Sequence, residues 1–221
     1  MGDGSGVGAS GGERRGVGVT RMTRAERRGE NRAALVDAAL AEMGARGYRA
    51  ARLEDIAERA GLTTGAVYSI FGSKRSLLVA AVERLTQRLR DGLAVVLDDE
   101  ELTLGEALRA FGRVLHGLAG DERAPQWFAF ELEAAVVGLR DAELGRTLDA
   151  HAEEVAELLR QVFAGRVLAG GGRSTDEDAA RLAPAAHALA AGLAQRVVRE
   201  PGALGAEYVA DAVGALEGLV G

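Results

Sequence analysis

The chain has 221 residues, 48% hydrophobic and 27% charged, a balance that supports one large domain or a small one beside a medium one. It contains no cysteine, which excludes disulfides, a thiolate zinc site and a cysteine nucleophile, and fits a reducing cytoplasm. The net charge of −6 is uneven: residues 1–97 carry 16 Lys+Arg and 11 Asp+Glu, a balance of +5, and the remainder carries −11. A basic front suggests a polyanionic partner, with solvated surface charge sorted by chance as the plain alternative.

Residues 1–22 are rich in glycine and serine with scattered arginine, and bury too little to order themselves. They are expected to form a disordered arm, with Arg14, Arg15, Arg21 and Arg24 available to phosphates. From about 25 onward the apolar spacing is helical. Val36, Ala39, Leu40 and Met43 share one face, and Gly44 and Gly47 mark a stop. Leu53, Ile56, Ala57 and Ala60 repeat the pattern until Gly61. Val67 and Phe71 lie in a very short third helix closed by Gly72. A longer helix starts near Ser73 and is broken at 98–101.

The rest reads as longer helices. Leu104, Leu108, Phe111, Leu115 and Leu118 form one stripe. Residues 126–139 are apolar on nearly all sides, predicting a buried helix with Phe128, Leu132, Ala135 and Leu139 as core. Leu144, Leu148, His151, Val155, Leu158 and Val162 make a core-facing seam. Gly170–Gly172 form a loop, and two further helices run through Leu182–Val197, ending by Pro201, and Val209–Val220. No stretch alternates as a strand does, and no apolar run approaches the roughly 18–20 residues that cross a bilayer.

Helices 53–60 and 64–70, joined by Gly61-Leu62-Thr63, have the length and glycine usage of a helix-turn-helix, whose second helix enters the DNA major groove. Thr63 offers an N-cap hydroxyl. Thr64, Gly65, Tyr68 and Ser69 lie opposite Val67 and Phe71: hydroxyls suit base edges or phosphates, and Gly65 permits close approach. Lys74, the only lysine, opens the next helix and can neutralise a phosphate.

Residues 31–78 resemble the amino-terminal domain of TetR-type transcriptional regulators. The resemblance rests on Ala38-Ala39, Gly47-Tyr48, Asp55-Ile56-Ala57, Ala60-Gly61, Gly65, Tyr68, Phe71, Ser73-Lys74 and Leu77-Leu78. It implies DNA contacts by Tyr48, Arg52, Thr63, Thr64, Gly65, Tyr68, Ser69 and Lys74. The chain departs from the pattern at Ala51-Arg52, where the family has a capping hydroxyl that touches phosphate. Arg52 replaces that contact with a charge but caps nothing. Ile70 stands where an aromatic or histidine is common, and Arg75 and Ser76 where acids are common, making this edge more basic.

The resemblance further implies an all-α fold of about nine helices. A helix-turn-helix domain would occupy residues 23–76, and a helical effector-binding and dimerisation domain residues 77–221. A homodimer would hold two reading helices about one DNA turn, roughly 34 Å, apart on a palindromic operator. Leu182, Ala186, Leu189, Leu193, Val209, Ala212, Val213 and Leu216 are the expected dimer stripes, with packing inside the subunit as the alternative. Phe111, Leu115, Trp127, Phe130, Glu131, His151 and Val155 are the expected lining for a small, mostly apolar effector. Glu131 alternatively pairs with an arginine such as Arg113, and His151 is alternatively a satisfied core residue. The histidines do not pair by spacing, so no metal is expected; no cofactor or membrane partner is implied. No nucleophile elbow or phosphate-binding glycine loop supports an enzyme. The leading expectation is a cytoplasmic one-component repressor. The alternative is a ligand-independent DNA-binding or protein-interaction module with a filled core.

Overall fold

Thr23 and Glu26 cap each other at the start of α1 (Arg24–Ala50): the Thr23 hydroxyl accepts from the Glu26 amide, and the Thr23 amide donates to the Glu26 carboxylate. This is a computed structural model, and it describes residues 23–220; the arm expected over 1–22 lies outside the described residues. Eight more α-helices follow: α2 (Leu53–Arg59), α3 (Thr64–Phe71), α4 (Lys74–Asp98), α5 (Leu104–Ala119), α6 (Ala124–Arg140), α7 (Ala142–Phe163), α8 (Asp176–Arg199) and α9 (Ala206–Gly214). A 3₁₀ turn at Ala215–Leu219 ends the fold. Among the described residues, β-type pairing is confined to isolated bridges joining Val167 to Thr103 and to Arg173.

Two apolar clusters organise the helices. The first joins α1, α2, α3 and the start of α4 to α6, through Leu35, Met43, Ile56, Val67, Leu77, Trp127 and Phe130. The second joins the far half of α4 to α5, α7, α8 and α9, through Leu93, Leu108, Phe111, Phe163, Leu182 and Val213. Helix α4 therefore belongs to both cores, and α6, which lies in the carboxy-terminal half of the chain, packs into the core of the amino-terminal helices.

Two expectations fail for instructive reasons. Gly44 does not stop α1; the helix continues to a kink at Gly47, whose φ of 81° and ψ of 156° suit glycine. Gly44 is needed for a different reason: a Cβ there would lie 2.4 Å from the Gln126 carbonyl oxygen of α6. Helix α6 is also not buried all round. Trp127, Phe130 and Ala134 face the core, but Leu132 is 57% exposed, Leu139 89%, and Val136 is open as well. The apolar count of the segment could not say which sides would find a partner.

Arg166 is buried and its guanidinium binds only backbone, donating to Val162 O and Val96 O at 2.8 Å, and to Asp99 O. It thereby satisfies carbonyls at the ends of α7 and α4, where helices leave acceptors unpaired and partial negative charge collects.

The α1–α6 contact predicts that Gly44→Ala destabilises the fold by about 1–3 kcal/mol, because backbone on both sides must shift. Urea unfolding of the variant against wild type checks this.

Candidate nucleic-acid interface

Thr63 begins α3 with its hydroxyl accepting from the Ala66 amide at 3.3 Å. Val67 is buried and Phe71 half-buried, which fixes the helix on its scaffold. The opposite face is open: Gly65 and Ser69 are exposed and Tyr68 is 56% exposed, while Thr64 is half-buried. Ile70, which stands where an aromatic or histidine is common, packs against the first core as a half-buried residue. Its lack of a polar group therefore costs the outer face nothing.

Beside α3 lies a second group. Tyr48 follows the α1 kink and is half-buried; the Lys74 ammonium sits 4.8 Å from its ring centroid and donates to the Arg49 carbonyl at 3.3 Å. Desolvation holds the Lys74 pKa below its usual range and pushes the Tyr48 phenol above its own. Ser73 caps α4 and so orients Lys74 at its first position. Arg52 is exposed and caps nothing, as the sequence implies, and pairs loosely with Glu54 at 3.5 Å. Below this surface the buried carboxylate of Glu42 binds α1 to α2. Arg59 reaches it at 2.7 Å and Arg46 at 3.2 Å, and Arg46 also meets Asp55 at 3.0 Å.

Arg75 does not add free positive charge to the edge. It spans to the α6–α7 junction, meeting Asp141 at 2.9 Å and Glu143 at 3.2 Å. Nearby, the Glu133 carboxylate of α6 accepts from the Tyr48 amide at 2.7 Å. Glu133 was missed in the sequence; the available signal was a second carboxylate on a mostly apolar helix.

The residues expected to bind an effector are divided between the two cores. Phe111, Leu115 and Val155 belong to the second, and Trp127 and Phe130 to the first. Phe111 stacks edge-on to Phe163 with centroids 6.1 Å apart, and Arg88 lies 3.5 Å from the Trp127 ring centroid. Arg113 does not reach Glu131; it forms a two-pronged pair with Glu207 of α9 at 2.8 and 2.9 Å. Glu131 is exposed by accessible surface, yet the protein packed around its carboxyl reduces its hydration and raises its pKa to about 7. His151 is half-buried, with Nδ1 3.5 Å from the Glu154 carboxylate. Two open surface pockets lie elsewhere. One of about 410 Å³ is lined by residues including Leu168, Gly171 and Glu217, and one of about 440 Å³ by residues including Arg90, Glu157 and Arg160. Among the described residues, no group of three or more metal-ligating side chains converges.

The expected dimer stripes are largely spent inside the subunit. Leu182, Ala186, Val209 and Val213 have no exposed surface, Leu189, Leu193, Ala212 and Leu216 are half-buried, and α9 packs along α5 with Arg109–Asp211 and Arg113–Glu207 at its flank. Apolar spacing identifies a buried face without saying whether the cover is the same chain or another.

A short helix with its polar face outward, seated by a capped turn on a three-helix scaffold and followed by a long helical body, defines the helix-turn-helix class of DNA-binding regulators. Residues 35–81 match the model of the bacterial regulatory proteins of the tetR family, and residues 105–219 match that of the carboxy-terminal domain of BetI-type transcriptional repressors. The chain belongs to the TetR family, whose members are transcriptional regulators rather than enzymes. It is 36% identical over 128 residues to the regulator BetI of Rhizobium meliloti, covering 56% of this chain and 60% of that protein. It is 32% identical over 168 residues to BetI of Agrobacterium fabrum, covering 73% and 74%, and 37% identical over 105 residues to the transcriptional activator FasR of Mycolicibacterium smegmatis, covering 46% and 45%. The first match thus spans three-fifths of its relative and the activator match less than half. Among solved structures, a transcriptional regulator from Pseudomonas aeruginosa PAO1 superposes with a TM-score of 0.68 at 21% identity over 92% of this chain and 94% of that one. A TetR-like regulator from Rhodococcus sp. RHA1 gives 0.61 at 25% identity over 91% and 100%.

The Glu131 shift has a definite sign. Its pKa in the fold, about 7, lies above the ordinary 4.5, so its contribution to stability is present at low pH and is lost as pH rises through about 7. Glu131→Gln is therefore expected to melt progressively higher relative to wild type as pH goes from about 5 to about 8, measured by paired thermal scans across that range.

Proposed function

We propose that the protein is a homodimeric one-component repressor that binds a palindromic DNA operator in the cytoplasm and is released by a small, mostly apolar effector. The observation that carries the DNA-binding part is the outward face of α3: Gly65, Tyr68 and Ser69 stand exposed beside Lys74 and Arg52, while Val67 anchors the helix from behind. Hydroxyls and a tyrosine suit base edges and phosphates, and the capped start of α3 points amides the same way. Thr63 and Thr64 set that start, and Tyr48 with Lys74 takes a flanking phosphate.

For release, the effector reading rests on Glu131 with Trp127 beside it on α6, a helix in contact with both α1 and α7. A ligand must favour a different placement of α6 if it is to alter the spacing of the two reading helices. The zero exposure of Phe111 and Phe130 favours the second reading, a regulator with a filled core at those positions. Repression rather than activation rests on the BetI-type carboxy-terminal match.

The dimer face is proposed on the outward side of α8, where Ala180, Pro184, Ala188 and Gly192 are exposed small residues, together with the exposed Tyr208 of α9. Small side chains let helices of two copies approach closely. Ala188→Glu is expected to convert a dimer to a monomer in light scattering after size exclusion; an unchanged dimer places the interface elsewhere.

Mobility shifts with DNA from upstream of the protein's own gene test the operator reading. Wild type is expected to bind one sequence in preference to competitor DNA, and Tyr68→Ala to weaken this about tenfold with an unchanged melting temperature. Sequence-indifferent binding at low salt, or wild-type affinity in the variant, contradicts it.

A further inference from the structure

Four observations meet at the kink of α1. At Gly47 the backbone leaves helical geometry, with φ 81° and ψ 156°. The Tyr48 amide points across to α6 and donates to the Glu133 carboxylate at 2.7 Å. That carboxylate lies flush over Gly47: a Cβ on Gly47 would come within 3.2 Å of it. On the same residue, the Tyr48 ring carries the Lys74 ammonium at 4.8 Å, and Lys74 also donates to the Arg49 carbonyl.

The neighbouring contacts make the link stiff. Gly44 brings the α1 backbone against the Gln126 carbonyl of α6, and Gly145 of α7 lies against Gly138 of α6, where a Cβ would sit 2.8 Å from the Gly138 oxygen. Arg75, next to Lys74 in the chain, is tied to Asp141 and Glu143 just beyond α6. A charge-assisted hydrogen bond to a backbone amide is directional and stronger than a neutral one. A shift of α6 is therefore felt at Tyr48 as lost bonding rather than as soft rearrangement.

We propose that Glu133 is a positioning residue. Its carboxylate, carried on α6, holds the Tyr48 backbone, and through the Tyr48 ring it places Lys74 for the DNA backbone. Moving α6 then loosens the phosphate contact without touching the reading helix. This rests on the operator reading above for its DNA end, and on the geometry at Gly47 for its protein end. Glu133 touches no DNA in this scheme and acts only through Tyr48 and Lys74.

The test is a double-mutant cycle on the full chain, with operator affinity, melting temperature and amide hydrogen exchange measured together. Glu133→Ala and Lys74→Ala are each expected to weaken operator binding about tenfold, and the double variant to be no weaker than Lys74→Ala alone, because both act on one contact. Glu133→Gln, which keeps an acceptor oxygen, is expected to recover most of the affinity. Exchange at residues 48–52 is expected to rise in Glu133→Ala before any change in global unfolding. Wild-type affinity in Glu133→Ala, or losses that multiply in the double variant, overturns the proposal. If wild type itself binds no operator, the regulator reading fails, and exchange alone decides the link: unchanged protection at 48–52 in Glu133→Ala overturns it, and raised protection loss confined to that segment supports it.

Discussion

The contact between the backbones of α1 and α6 constrains everything around it. At Gly44 no side chain separates the two helices, and a methyl group would lie 2.4 Å from a carbonyl oxygen. That approach places Trp127 and Phe130 among Leu35, Met43 and Ile56, so a helix from the carboxy-terminal half completes the core of the DNA-facing helices. A core of two short helices and a kinked one is small, and small cores bury too little surface to stand well alone. The reading helix α3, with Val67 as its only fully buried residue, depends on this borrowed packing.

About half of the cations among residues 23–97 are consumed in ion pairs. Arg46 and Arg59 hold Glu42, Arg75 holds Asp141 and Glu143, Arg84 lies 3.7 Å from Asp37 and Arg32 lies 3.4 Å from Glu83. Most of these pairs are half-exposed, and such pairs contribute little stability individually. Among the described residues Lys74 and Arg49 beside it make no ion pair, and the Lys74 ammonium is presented on an aromatic ring. A formal balance of +5 thus overstates the field available to DNA, while the position of the remaining cations gives it direction.

Much of this was legible in the sequence because it depends on neighbours in the chain. Helical spacing, the Thr63 cap, the helix start near Ser73 and the glycines after short helices are local signals, and the helices fall where they indicate. What was not legible depends on partners far along the chain. Gly44 looked like a terminator because its reason, Gln126, lies 82 positions away in a different helix. Of the stripe read as core, Phe128 packs against the core while Leu132 and Leu139 stand exposed, because composition does not reveal which face another helix will cover. Leu182, Ala186, Val209 and Val213 were read as dimer stripes, but they are covered by helix packing within the subunit. Arg113 found Glu207 rather than Glu131 for the same reason.

Helix α4 is held at both extremities by chemistry of different kinds. Its first turn is tied through Arg75 to the α6–α7 junction, and its last carbonyls are gripped by the buried Arg166. At 25 residues it is about 37 Å long. A rod anchored at each end cannot slide along its axis without breaking an anchor. What is left to it is bowing or twisting between the anchors, against α5, whose Val114 packs onto the α4 backbone at Gly92. The molecule therefore resembles a strung bow more than a lever.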